Sequence, residues 1–123
     1  MDRLAQFSNQ SYLNLETYRK SGQVVRTPLW FIEDHGVLYM RTPAVSAKVR
    51  RIRNNPRVRV VPSDWRGNPA GVWIDGEADL IDAHEADWVN QRIKRKYGLL
   101  KRLIDLRARL KRVEPVVIAV RVQ

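Results

Sequence analysis

Apolar and polar residues alternate with a period of two along several short stretches of the chain. The alternation is clearest over residues 12–18, 57–61 and 72–82, where apolar side chains recur at every second position. This period is typical of a β-strand with one face in a core and the other toward solvent. These three stretches are therefore predicted to be strands.

A β-branched and aromatic run at residues 24–32 and a second run at residues 37–42 flank a turn at residues 33–36. Runs joined so tightly predict an antiparallel hairpin. Pro28 cannot donate a hydrogen bond to a sheet, so part of the first run must lie at an edge or a bulge, where a ligand can approach. A last strand at residues 116–122 is apolar on nearly both faces, which indicates burial on both sides.

Helical spacing of apolar residues occurs in the remaining segments. Residues 46–55 are predicted to form a short helix, with Ser46 as its N-cap and an Asn-Asn-Pro stop at residues 54–56. Residues 84–97 form an amphipathic stretch, and another follows Gly98 over residues 99–110. The prediction is six strands, one helix inserted among them and a helical segment before the last strand.

Strands in meander order favour a mainly β fold, an antiparallel barrel that is closed or partly closed. An open sheet with a helical layer is the alternative. With 123 residues, 44% of them hydrophobic, the chain suits one domain over residues 1–123. A domain of this size leaves much of its surface wet, which favours self-association.

The composition excludes several classes of protein. The chain has no cysteine, which excludes disulfides, thiolate metal sites and a cysteine nucleophile. No uninterrupted apolar run approaches the ~18 residues of a transmembrane helix, and the first residues lack a signal pattern. We therefore expect a soluble, cytoplasmic protein without a membrane span.

The charge favours anionic partners, since 23 lysines and arginines outnumber 13 acidic residues and give a net charge of +10. Basic residues cluster at residues 50–59 and 92–102. The clusters lack zinc-ligand spacing, a helix-turn-helix and the aromatic signature of RNA-binding sheets, so nucleic acid is not the expected partner. Solvated helix faces, or attraction of an anionic coenzyme, explain the clusters better.

The densest candidate chemistry lies around the start of the predicted inserted helix. Thr42 and Ser46 supply hydroxyl groups there, and Lys48 supplies a cation. The amide groups of a first helical turn and a nearby lysine both favour an anion, so these residues form a candidate phosphate cradle. In the alternative interpretation, Ser46 merely caps the helix and Lys48 is solvated.

Other chemistry-bearing residues give weaker signals. His35 and His84 lack metal-ligand spacing, so no metal site is predicted. The acidic side chains of residues 75, 77 and 79 fit a wet strand face. Among the four tryptophans, Trp30 and Trp73 are the candidates for stacking on a flat ligand.

The order and spacing of several motifs resemble the pyridoxamine 5'-phosphate oxidase-like split-barrel superfamily, and within it the deazaflavin (F420)-dependent oxidoreductases. The motifs are GQVVRTPLWF at residues 22–31, GVLYMRT at 36–42, SAKV at 46–49, NPRV at 55–58, DWRG at 64–67, GEA at 76–78 and KYG at 96–98. The resemblance covers nearly the whole chain.

This resemblance implies a split-barrel homodimer with coenzyme sites at the subunit interface. The candidate coenzyme-binding residues near the inserted helix are Arg41, Thr42, Ser46 and Lys48, and the last three match the superfamily's phosphate-binding positions. The ring system of the coenzyme would be lined by residues around the strand proline, which here are Arg26, Thr27, Pro28 and Trp30. Trp73 is a further candidate because of its aromatic ring, apart from the resemblance. Arg57 falls where the superfamily often keeps a basic residue.

The implied activity is hydride transfer between F420 and a small organic substrate, with FMN as the alternative coenzyme. The basic residues at 50–59 favour F420, because its polyglutamate tail is an extended anion. No catalytic acid or base is predicted, since the coenzyme carries the hydride. The alternative is a non-enzymatic module that binds a flavin, haem or nucleic acid.

Overall fold

The computed structural model describes residues 3–98 and 114–123, so the helical stretch predicted at residues 99–110 lies outside the described residues. A 3-10 helix at Ala5–Phe7 precedes seven strands and two helices. In chain order these are β1 (Tyr12–Tyr18), β2 (Val24–Leu29), β3 (Ile32–Asp34), β4 (Val37–Pro43), α1 (Ala47–Asn54), β5 (Arg57–Ser63), β6 (Ile74–Asp82), α2 (Asp87–Tyr97) and β7 (Pro115–Val122).

All strand pairs are antiparallel, and the sheet has the order β2-β1-β5-β6-β7-β4-β3. The two edge strands, β2 and β3, are joined by only Trp30 and Phe31. In an open sheet of this size the edges would stand about 29 Å apart, at roughly 4.8 Å per strand, whereas three residues span at most about 11 Å. The sheet must therefore curl until its edges meet, which confirms the barrel and rules out the open sheet.

The predicted strand at residues 24–32 is two strands, which raises the count from six to seven. The break occurs at Phe31, whose backbone groups pair with side chains of α2 instead of a sheet neighbour. The Phe31 amide donates to the Tyr97 hydroxyl at 3.0 Å, and the Phe31 carbonyl accepts from Lys96 Nζ at 2.8 Å. The hydrophobic pattern of residues 24–32 does not indicate such a break.

The barrel is split between β2 and the second half of β4. In the described part of the chain, β2 pairs only with β1, and β3 pairs with β4 only through residues 37–39. Because β3 continues the path of β2, the free edges of β2 and of β4 from Met40 onward border the same gap. Pro28 lies on this edge, as predicted from its missing N–H.

The barrel interior is one apolar core. It is filled from the strands by buried side chains such as Leu15, Met40 and Ile118, and it is closed at its ends by Phe7 and by Ile52 of α1. A second cluster lies outside the barrel, where Val89 and Ile93 of α2 pack against the outer face of the sheet. β7 is buried on both faces between these clusters, as its sequence predicts.

Apart from the break at Phe31, three element boundaries differ from the sequence prediction by two or more residues. β5 runs to Ser63, and β6 begins at Ile74 because Val72 bonds elsewhere: the Gln6 side chain accepts from the Val72 amide at 2.9 Å and donates to its carbonyl at 2.8 Å. The helix predicted from His84 begins at Asp87, after a turn in which the His84 amide donates to Asp82 Oδ1. No described helix is long and apolar enough to span a membrane.

Candidate functional site

Thr42, Ser46 and Lys48 form one hydrogen-bonded group where β4 leads into α1. Lys48 Nζ donates to Thr42 Oγ1 at 3.2 Å, and Thr42 Oγ1 donates to Ser46 Oγ at 3.4 Å. Ser46 is the N-cap of α1, but its side chain makes no capping hydrogen bond. The hydroxyl bonds to Thr42 instead, so the Ser46 side chain does not cap the helix.

Within residues 3–98 and 114–123, no carboxylate pairs with the Lys48 ammonium. It is half-buried, and its only hydrogen-bond partner in the described residues is the Thr42 hydroxyl. Burial, followed by repulsion from the Arg51 guanidinium, lowers the pKa of Lys48. An anion placed here would raise this pKa again, because a nearby opposite charge favours the charged form of the lysine.

Helix α1 is tethered to β1 and, through β1, to β2. Arg51 Nε donates to Thr17 Oγ1 of β1 at 2.7 Å, and that hydroxyl donates to the Val25 carbonyl of β2 at 3.4 Å. The tether holds the last turn of α1 against these two strands. Because Thr42 lies on the free part of β4 and Pro28 on the edge strand β2, the hydroxyl–lysine group and the residues around Pro28 border the same gap from its two sides.

Arg26 and Trp73, two further predicted site residues, lie together on the outer face of the sheet. The Arg26 guanidinium carbon is 4.9 Å from the centre of the Trp73 ring, and that of Arg59 is 5.2 Å from the same ring. Glu16 of β1 holds both arginines, with Nε–carboxylate distances of 2.8 Å to Arg26 and 2.7 Å to Arg59. The two cations are thus bridged by one carboxylate.

Glu16 is nearly inaccessible, with a side chain only 1% exposed. Burial alone would raise the pKa of this carboxyl, but hydrogen bonds from Arg59, Arg26 and Tyr18 outweigh burial and lower it to about 2. Glu16 is therefore ionised under all ordinary conditions and neutralises part of the arginine charge.

The other residues predicted to line the coenzyme ring lie on β2 and in the link between β2 and β3. Thr27 pairs across from Leu15 and Pro28 from Asn14, and both are half-buried. The Trp30 ring stacks on the Tyr97 ring at 4.3 Å with an interplanar angle of 7°. One face of Trp30 is therefore covered by the protein itself, and only its other face and its edge can meet a ligand.

Arg41 and Arg57 lie apart from the hydroxyl–lysine group. Arg41 follows Met40, which points into the core, and precedes the buried Thr42, so it points to the outer face. It borders a cavity of about 440 Å³ with Asp82, His84, Asp87 and Glu114. Arg57 is exposed on β5 and pairs across from Glu77.

A strongly basic surface lies between α1 and the turn that follows β1. Among the residues that the structure describes, no carboxylate lines the cavity of about 540 Å³ there, and five cationic side chains do, namely Arg19, Lys20, Arg50, Arg51 and Arg53. The sequence indicated the three residues of α1 as part of a basic cluster. It did not indicate Arg19 and Lys20, which the turn after β1 brings to the helix. We call this set the basic surface.

Sequence reasoning missed Glu16, and it indicated Arg51 and Arg59 only as members of the basic cluster at residues 50–59. Glu16 sits on a strand face that alternation would assign to solvent, and only the register, which places Arg26 and Arg59 on either side of it, reveals its role. His35 and His84 are both exposed in turns, and His84 borders the cavity of Arg41.

Comparison with known proteins gives one family. A family model described as pyridoxamine 5'-phosphate oxidase matches residues 2–121. The comparison with curated proteins finds no match.

Several solved structures share the fold at low sequence identity. An F420 reductase matches with 21% identity and a TM-score of 0.64, over 98% of this chain and 92% of its own. General stress protein 26 from Bacillus anthracis matches with 21% identity and a TM-score of 0.64, over 95% and 83%. The heme storage protein HutZ from Vibrio cholerae matches with 13% identity and a TM-score of 0.70, over 94% and 83%.

Proposed function

Because the chain belongs to the pyridoxamine 5'-phosphate oxidase family, we propose that it is an oxidoreductase that transfers a hydride between the deazaflavin coenzyme F420 and a small organic substrate. FMN is the alternative coenzyme. A cysteine-free chain suits the reducing cytoplasm, where we propose that the protein acts.

The hydrogen-bonded group of Thr42, Ser46 and Lys48 carries the proposal. It offers two hydroxyls and an ammonium without a carboxylate partner in the described residues, next to the first turn of α1. A phosphate group suits this donor set, because the cation, the hydroxyls and the amides of the helix start all favour an anion. The coenzyme phosphate would bind there.

The ring system would lie in the split between β2 and β4, against Arg26, Thr27, Pro28 and the free face of Trp30. When bound, the coenzyme supplies the hydride chemistry. The residues of this chain hold the phosphate, fix the position of the ring and exclude water from it. The chain then needs no acid or base of its own at this site.

The basic surface supports F420 over FMN. A coenzyme held by its phosphate at Lys48 is anchored on the same short helix that carries Arg50, Arg51 and Arg53. The polyglutamate tail of F420 is an extended anion that these uncompensated cations would attract, whereas FMN ends at its phosphate. The F420 reductase among the structural neighbours is consistent with this preference.

A second copy of the chain would complete the site. The split and the outer face around Trp73 open to solvent in one protomer, and a homodimer would enclose the ring between two such faces. Trp73 is held flat by Arg26 and Arg59 and is thereby preorganised for contact. A sizing column run with and without coenzyme measures the oligomeric state.

Spectroscopic titration of the purified protein with F420 and with FMN tests the proposal. We expect binding of F420 with higher affinity than FMN, and a loss of about 100-fold in the double variant Ser46→Ala/Lys48→Ala, from the missing charge-assisted contacts. Lys94→Ala, which removes an exposed lysine of α2, is the matched control and should bind normally. An unchanged affinity in the double variant would refute the proposed site.

The basic surface also keeps one alternative function open, a nucleic-acid-binding module without enzymatic activity. Affinity for random duplex DNA that falls steeply with salt, together with no affinity for either coenzyme, would favour that function. A haem-binding module, as in the heme storage neighbour, fits less well because both histidines are exposed in turns, away from the split.

A further inference from the structure

The link of Trp30 and Phe31 forms the closed end of the split. Beyond the link, β3 pairs with β4 through residues 37–39, whereas before it the facing edges of β2 and β4 are free in the described part of the chain. A coenzyme ring in the split would therefore meet Trp30 where the gap begins. The orientation of the Trp30 ring is part of the shape of the proposed site.

Tyr97, the last residue of α2, holds this link through its hydroxyl group. The hydroxyl accepts a hydrogen bond from the Phe31 amide at 3.0 Å and donates one to the Ser11 carbonyl at 2.7 Å. Burial raises the pKa of Tyr97 to about 12, so the hydroxyl keeps its proton at neutral pH. The two bonds fix Tyr97 relative to the link and to the start of β1.

The ring of Tyr97 lies flat against the ring of Trp30. The ring centres are 4.3 Å apart and the ring planes differ by 7°. Trp30 and Tyr97 both pack against the apolar cluster that Val89 and Ile93 of α2 form on the outer face of the sheet. A rotation of the Trp30 side chain would break this stack, so the ring is held in one orientation before any ligand binds.

Lys96 holds the same link independently of the stack. Its Nζ donates to the Phe31 carbonyl at 2.8 Å and lies 3.8 Å from the centre of the Phe31 ring. Loss of the Tyr97 ring would therefore release the Trp30 ring while the Phe31 carbonyl stays bonded to α2. The effect of the stack can thus be separated from the attachment of the link.

We propose that Tyr97 is a positioning residue of the coenzyme site, which stacks on one face of Trp30 and so holds the other face ready for the coenzyme ring. The inference rests on the proposed function and adds to the site a residue of α2 that acts only through Trp30. An aromatic surface that is already ordered binds a flat ligand more tightly, because binding then costs less conformational entropy.

A double-mutant cycle that measures the affinities for F420 and for FMN tests the inference. For the coenzyme that the wild type binds, we expect Tyr97→Leu to weaken binding about fivefold and Trp30→Leu to weaken it at least as much. The double variant Trp30→Leu/Tyr97→Leu should bind as Trp30→Leu does, because Tyr97 acts through the Trp30 ring.

Two further variants separate positioning from stability. Tyr97→Phe keeps the stacked ring and loses the hydroxyl bonds, so it should unfold at lower urea concentration yet bind the coenzyme within about twofold of the wild type. Val89→Ala loosens the packing of α2 and keeps the stack, so it too should bind as the wild type does.

Three outcomes would overturn the inference: wild-type affinity in Tyr97→Leu, losses that add in the double variant, and an equal loss in Val89→Ala, which would mean that Tyr97 only stabilises α2. Each of them leaves the proposed coenzyme site standing, since Ser46→Ala/Lys48→Ala tests that site separately. If the wild type binds neither coenzyme, the proposed function and this inference both fail.

Discussion

Two cationic groups of this protein are built in opposite ways. Around Trp73, two arginines share one buried glutamate, and each guanidinium is paired. Beside α1, Lys48 is half-buried and has a lowered pKa, and its one hydrogen-bond partner among the described residues is a hydroxyl oxygen. The difference teaches that cationic residues alone do not identify a binding site. The paired group stabilises the fold, and the unpaired group has charge left for a ligand.

The largest expected change in stability comes from removing Glu16, the carboxylate of the paired group. In Glu16→Ala, two guanidiniums and the Tyr18 hydroxyl lose their partner, so we expect the free energy of unfolding to fall by about 3 kcal/mol. This loss in the free energy of unfolding is at the low end for a buried ion pair because Arg26 and Arg59 are partly exposed. Urea unfolding measures it, with Glu77→Ala as a control that removes an exposed strand carboxylate and should cost under about 0.5 kcal/mol.

The pH dependence of stability is a second test of the difference between the paired group at Glu16 and the unpaired Lys48. The pKa of Glu16 is about 2 in the folded protein and 4.5 without its partners. Because folding lowers this pKa, the stabilisation is complete above about pH 5 and is lost as the pH falls toward 2. The shift corresponds to about 3 kcal/mol, and urea midpoints across this range should show that loss in the wild type and much less of it in Glu16→Ala. Parallel acid profiles for the two proteins would contradict the account.

Lys48 should behave in the opposite way. In Lys48→Met the half-buried stem is kept and an uncompensated charge is removed, so the free energy of unfolding should change by less than about 1 kcal/mol. Thermal unfolding without coenzyme is the measurement. A loss above about 2 kcal/mol would mean that Lys48 is a structural residue like Glu16.

The sequence predicts the local features of this molecule well and the long-range ones poorly. Thr42, Ser46 and Lys48 lie within seven residues, so a strand end followed by a helix start is enough to bring them together. Glu16 and Arg59 meet only through strand register, which alternation does not specify. The break at Phe31 depends on hydrogen bonds from α2, 65 and 66 residues away along the chain.

Strand parity would have refined one part of the predicted site. The sequence prediction places Arg41 and Thr42 together among the coenzyme-binding residues. Neighbours on a strand point to opposite faces, so the two side chains cannot serve the same side of the sheet. The structure places Thr42 toward Lys48 and Arg41 toward the acidic cavity beside α2.

The central claim is that the group of Thr42, Ser46 and Lys48 binds the phosphate of the coenzyme. Affinities for FMN and for riboflavin, which share a ring and differ by the phosphate, test it directly. The account predicts that the phosphate strengthens binding at least about 100-fold in the wild type and by less than about threefold in Ser46→Ala/Lys48→Ala. Equal affinity of the wild type for the phosphorylated and phosphate-free ligands would contradict it.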